Sequence, residues 1–131
     1  MREQENLVTW LGKQLDEEEK IARDAVYEEA GSWRAEAGNG GCSQIRDSRG
    51  GVIVYGEGSL YGEEAAHIVR HDPAFVLADI AAKRQTLERC AEVFKSASDH
   101  HAVESCDEND VVLAEAVIGL LASAYVTRFG M

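Results

Sequence analysis

Hydrophobic positions recur along this chain with a helical period in four stretches and lose that period in a fifth. Residues 3–30 carry Leu7, Leu11, Leu15, Ala22 and Val26 four or seven apart, with Trp10, Ile21 and Ala25 widening the stripe. That pattern predicts one long amphipathic helix. Over residues 32–56 the period gives way to glycine-rich segments. Here Ser32 to Glu36, Ser43 to Arg46 and the β-branched and aromatic run Val52-Ile53-Val54-Tyr55 read as short strands. Asp47-Ser48-Arg49-Gly50-Gly51 is a good turn between the last two, so a small antiparallel meander is expected.

Residues 60–71 form a short helical pattern with Ala65, Ala66, Ile68 and Val69 on its apolar side. Pro73 stops it, because proline lacks an N–H and disfavours helical geometry at the residue before it. The same proline suits the first position of a new helix over residues 73–97, with Asp72 as its cap. Val76, Ile80, Leu87, Cys90, Ala91 and Phe94 make the stripe of that helix. Residues 110–128 are apolar around most of a helical circumference, which predicts a central helix covered on more than one side, with dimerisation as a second way to cover it. The expected fold is α+β in a single domain, residues 1–131: long N-terminal helix, small antiparallel meander, helix–corner–helix, and apolar C-terminal helix.

Composition narrows the function classes. The net charge is −11 with a pI near 4.7, which disfavours direct binding to nucleic acid or anionic lipid. No apolar run is read as long enough to span a membrane, and the polar N-terminus shows no signal peptide. Three widely spaced cysteines (Cys42, Cys90, Cys106) read as reduced thiols in a cytoplasmic protein.

Few residues gather in patterns that carry chemistry. Asp16-Glu17-Glu18-Glu19 is an acidic run on the first helix, in which Asp16 to Lys20 and Glu19 to Arg23 have the favourable i,i+4 orientation. It reads as a solvated face first and as a cation site second. Lys83, Arg84 and Arg89 form a basic cluster on the helix after the corner, suited to pair with that acidic face. His67 and His71 stand one helical turn apart, the spacing by which a helix offers two imidazoles to zinc, and Glu64 lies three residues before His67. Closing such a site needs a further ligand from Cys42, Cys106, His100 or His101, none of which has a recognised metal spacing. Gly38-Asn39-Gly40-Gly41 lacks the helix and the Gly-Lys-Ser/Thr ending of a phosphate loop, and reads as a hairpin connection. Cys106 precedes Asp107 and Glu108, a poor setting for a thiolate, and Cys90 belongs to an apolar stripe.

Trp10-Leu11, Leu15-Asp16-Glu17-Glu18-Glu19 with Ala22-Arg23, and the segment from His67 through His71-Asp72-Pro73-Ala74 to Val76-Leu77, followed by Ala82-Lys83-Arg84, together resemble a family of small acidic proteins of unknown function from actinobacteria and their phages. The likeness covers about residues 7–90. Members of that family often end in a short Leu-rich segment with Tyr and His-Pro, from which the C-terminal helix here departs. The resemblance implies a compact α+β fold and a phage or prophage setting, and it draws attention to the His-Asp-Pro corner. It brings no activity, cofactor or catalytic residue.

The functional expectation is a non-enzymatic, acidic accessory factor that binds another protein. Its candidate contact residues are Asp16, Glu17, Glu18 and Glu19 on the acidic face and His67, Arg70, His71 and Asp72 at the corner, with no cofactor. The competing expectation is a metal-binding module or metal-dependent hydrolase built on His67 and His71 with Glu64, taking zinc.

Overall fold

The computed structural model describes residues 2–37, 42–56, 60–98 and 108–130. In chain order they form α1 (Arg2–Asp24), β1 (Trp33–Ala37), β2 (Ser43–Asp47), β3 (Val52–Val54), α2 (Gly62–Arg70), α3 (Pro73–Ser98) and α4 (Glu108–Phe129). The class is α+β, as the pattern predicts. The chain divides into two compact units, one of residues 1–18 and 80–131 and the other of residues 19–79. The 38–41 connection and the segment holding His100, His101 and Cys106 lie outside the described residues.

The helical unit is built from the first turns of α1, most of α3, and α4. Leu11 and Leu15 from α1, Ile80, Leu87, Cys90 and Phe94 from α3, and Ala114, Ile118 and Ala122 from α4 are buried in it. Each set repeats at three, four or seven residues, so each helix turns one face inward. Polar side chains bind the three helices together at one end of this core. The Tyr125 hydroxyl donates to Glu18 Oε2 at 2.7 Å and accepts from Lys83 Nζ at 3.1 Å. Lys83 also lies 5.2 Å from the centre of the Tyr125 ring, within cation–π range. Beside it Arg84 donates to Asp16 at 2.8 Å. One member of the basic cluster on α3, Arg84, thus pairs with the acidic run on α1, as the sequence suggests. Asp16 takes Arg84 as partner rather than the expected Lys20, which sits 3.8 Å from Asp24.

The sheet unit holds the antiparallel meander in the order β1-β2-β3. Trp33 stands opposite Asp47 and Ala37 opposite Ser43, and the β2–β3 register is irregular at Ile45/Arg46. Helix α2 packs on β1 and β2, with Ala65 and Ile45 both fully buried. The β2–β3 turn is set by one buried side chain. Asp47 Oδ1 accepts the N–H groups of Arg49 at 2.9 Å and Gly51 at 2.8 Å, and Gly50 supplies the left-handed conformation at φ +90°. A Cβ at position 51 would come within 3.1 Å of the Asp47 carboxylate, so this turn uses both glycines.

Two expectations are corrected here. Helix α1 stops at Asp24 rather than running to residue 30. Ala25 and Val26 lie beyond the helix end, and in its last turn Ala22 is buried while Ile21 is 71% exposed. Val26 and Tyr27 are weak helix formers, and Glu28 and Glu29 both adopt positive φ, +47° and +67°, so the chain beyond Asp24 does not resume a helical path to residue 30. Arg49 forms an ion pair with Glu28 at this point.

The second correction concerns α4. It is not central: its buried residues, Ala114, Ile118, Ala122 and Tyr125, form a single stripe. Leu113 is 64% and Leu120 75% exposed. Ala114, Ile118, Ala122 and Tyr125 turn one face of α4 inward, while Val112, Leu113 and Leu120 stay exposed. Helix α4 is also long and apolar enough, by length and composition only, to cross a membrane. The reading that no apolar run reaches that length does not hold for this helix.

Burial, reinforced by the bond to Glu18, pushes the Tyr125 hydroxyl above its ordinary pKa. The folded state therefore keeps this proton to a higher pH than the unfolded state does. The associated stability is intact below about pH 10 and is lost as the pH rises from there through the folded value. Tyr125→Phe should cost about 1 kcal/mol at neutral pH and should flatten the alkaline decline. Thermal melts of both proteins from neutral to strongly alkaline pH read the difference.

Candidate functional site

The His-Asp-Pro corner is assembled from backbone rules upward. At its start, Glu64 Oε1 accepts the Tyr61 N–H at 3.0 Å, the carboxylate half of a capping box. At its end, Pro73 prevents α2 from continuing. The His71 N–H reaches the Ile68 carbonyl at 3.1 Å and the Asp72 N–H reaches that of Val69 at 3.2 Å, so the last turn of α2 tightens as it closes. Asp72, 9% exposed, then spends both carboxylate oxygens on backbone. Oδ1 accepts the Phe75 N–H at 2.9 Å, capping α3. Oδ2 accepts the Trp33 N–H at 2.9 Å, at the first residue of β1. The Ala74 N–H adds a bond to the Gly31 carbonyl at 2.9 Å. Asp72 is therefore a structural joint, turned away from solvent.

The remaining corner residues face outward. Arg70, His67 and His71 are exposed at the end of α2. The two imidazole rings lie 4.6 Å apart, tilted by 45°, which is what one helical turn dictates. His71 Nδ1 sits 2.9 Å from the His67 carbonyl oxygen, and the His71 ring meets Phe75 edge-on at 6.0 Å. One nitrogen of His71 is thus committed to its own helix, as histidines near a helix C-terminus often are. Glu64, the third member of the expected metal set, uses its carboxylate on the Tyr61 N–H. Among the described residues no group of three or more His, Cys, Asp or Glu side chains converges as a metal centre needs. An open hollow lined by Leu60, Glu63, Glu64, His67 and Ile68 adjoins the rings.

The acidic run is not one surface. Asp16 binds Arg84, and Glu18 is half-buried under the Tyr125 hydroxyl. Glu19 lies 3.6 Å from Arg23 in the i,i+4 pair that the sequence anticipates. Glu17 is exposed. Two of the four carboxylates thus serve the packing of α1 against α3 and α4.

Two features escape a reading by motif. One is a polar network on the sheet: Glu36 accepts from Arg46 at 2.5 Å and from Gln44 at 2.6 Å. The Arg46 bond, then the Gln44 bond, hold the Glu36 carboxyl below its usual range. Cross-strand pairing of Glu36 with Gln44 is what brings these groups together. The other is the outward face of α4, where Val112, Leu113 and Leu120 are each at least 60% exposed. The apolar circumference of residues 110–128 carries that signal, but burial, not composition, decides which face stays uncovered.

Residues 4–130 match a family of unknown function, DUF6221, and the chain belongs to that family. The match runs past residue 90 and takes in α4, so the C-terminal helix belongs to the family pattern instead of departing from it. No curated protein and no solved structure matches the chain.

Replacing Asp72 tests the structural role of the corner. Asp72→Ala leaves the Trp33 and Phe75 N–H groups without their acceptor and should destabilise the fold by about 3 kcal/mol, the sum of a lost cap and an unsatisfied buried donor. Asp72→Asn keeps one acceptor oxygen and should cost about half as much. Urea denaturation of the three proteins checks both values.

Proposed function

Taking the chain as a member of DUF6221, we propose that it is a non-enzymatic, acidic accessory factor of phage or prophage origin, working in the host cytoplasm by binding protein. The observation that carries this reading is the outward face of α4. A helix that leaves Leu113 64% and Leu120 75% exposed presents the kind of apolar patch by which proteins recognise one another. The net charge of −11 adds long-range attraction for a basic partner and repulsion for nucleic acid. Glu17, exposed on α1, belongs to that negative field, as do Glu63 and Glu64 beside the corner.

A purified linker histone, used as a generic lysine-rich probe, tests the electrostatic part. Calorimetric binding should weaken about tenfold as sodium chloride rises from about 50 to about 200 mM, because screening shortens the reach of the charges. Glu17→Lys should weaken the low-salt affinity further. Absence of binding at low salt, or binding indifferent to salt, rejects the acidic-surface reading.

The closeness of the His67 and His71 rings, 4.6 Å, favours a second reading, a zinc-binding module or hydrolase. Two imidazoles with no convergent third ligand among the described residues make a weak site. The interaction reading expects no stoichiometric zinc in protein purified without chelator. One tightly held zinc per chain, lost in His67→Ala and in His71→Ala, favours the metal reading over it.

A further inference from the structure

The outward face of α4 has a shape and a charge order that suit one particular occupant. Leu113, Ala116, Val117 and Leu120 stand at i, i+3, i+4 and i+7, the four positions that outline a hole for a side chain from a facing helix. Leu120 itself, 75% exposed, is the most prominent knob on the same face. Beside the hole runs an apolar groove of about 320 Å³ between α3 and α4, lined by Cys90, Val93, Leu113 and Val117 with Arg89 and Asp110 among its polar residues. The Ser123 hydroxyl donates to the Leu120 carbonyl at 2.8 Å, so its donor is already satisfied within the helix. Nothing lies within 4 Å of a Cβ built on Gly119. A patch that carries both a knob and its hole is self-complementary, the requirement for a twofold contact between identical chains.

We propose that α4 pairs antiparallel with α4 of a second copy of this chain, each Leu120 seated in the hole formed by Leu113, Ala116, Val117 and Leu120 of the other. The register that this sets can be checked against charge. Seating Leu120 over Ala116 and Val117 makes facing residue numbers sum to 236 or 237, and brings Arg128 level with residue 108 or 109 of the other copy. Asp110 and Arg128 are eighteen residues apart, about five helical turns, and so share one edge of the helix. A twofold axis between antiparallel helices brings that edge of one copy beside the same edge of the other. Arg128 therefore arrives within about half a turn of the second copy's Asp110, at both ends of the contact. Parallel pairing would instead lay the edge that carries Asp110 and Arg128 beside the opposite edge of the other copy, so this charge pair would not form. Each helix also places its acidic first turn and basic last turn against the opposite end of its neighbour, which favours the antiparallel order.

This inference deepens the interaction reading and rests on it, naming a second copy as occupant of the apolar face. Sedimentation equilibrium of the full chain from about 5 to about 200 µM should show a dimer. Leu120→Asp should sediment as a monomer with an unchanged far-UV dichroism spectrum, since this side chain is exposed within one copy; Ala116→Glu should do the same. Arg128→Asp should weaken dimerisation about tenfold, and adding Asp110→Arg to it should restore most of the loss. A wild-type monomer throughout, a dimer indifferent to Leu120→Asp, or no rescue by the charge exchange overturns the pairing. Flotation of a monomeric wild type with phosphatidylcholine–phosphatidylglycerol vesicles also overturns it and assigns the face to a bilayer. A failed dimer with salt-sensitive histone binding intact rejects this inference alone. An intact dimer without that binding rejects only the acidic-surface reading.

Discussion

The sheet unit depends on one carboxylate. Asp72 sits where α2 has ended, α3 has not begun, and β1 starts, and its two oxygens answer backbone N–H groups from the latter two. A proline beside it makes the corner, but a proline only forbids continuation; the aspartate decides where the chain goes next. With the neighbouring bond from Ala74 to Gly31, it ties the start of the meander to the start of a long helix. The His-Asp-Pro segment is thereby accounted for at its centre by folding. What it leaves to function is the outward pair of histidines and Arg70, which cap and decorate a short helix.

The helical unit follows a different rule. Its interior is satisfied by one face of each helix, and a polar joint of Glu18, Tyr125 and Lys83 closes one end. Helix α4 has more apolar surface than this arrangement can bury. Helices with such a surplus either pass through the middle of a larger core or meet something outside the chain. The first is not realised here, because α4 buries only the single stripe of Ala114, Ile118, Ala122 and Tyr125. In the interaction proposed above, charge would act at a distance and α4 at contact.

Much of this was legible in the residues. The four helices and the meander follow from periodicity, the corner from Asp72-Pro73, and the β2–β3 turn from Asp47 and its two glycines. The pairing of the α3 basic cluster with the acidic run could be anticipated from complementary charge, though not that Arg84 would take Asp16 from Lys20. Helix length was less legible: a periodic pattern continues through Ala25 and Val26, and nothing in it announces two left-handed glutamates. The candidate site was least legible. A single chain states that residues 110–128 are apolar, whereas the exposed side depends on how Ala114, Ile118 and Ala122 meet distant segments. In the same way, the spacing of His67, His71 and Glu64 does not announce that Glu64 Oε1 accepts the Tyr61 N–H.

The two left-handed glutamates after α1 have a consequence of their own. A non-glycine residue in that conformation costs about 1–2 kcal/mol, and here two stand together, at Glu28 and Glu29. The ion pair between Glu28 and Arg49 offsets a part of that cost that shrinks as salt rises. Asparagine or glycine at these positions would adopt the same path with less strain. The end of α1 therefore holds a reserve of stability that the natural sequence leaves unused.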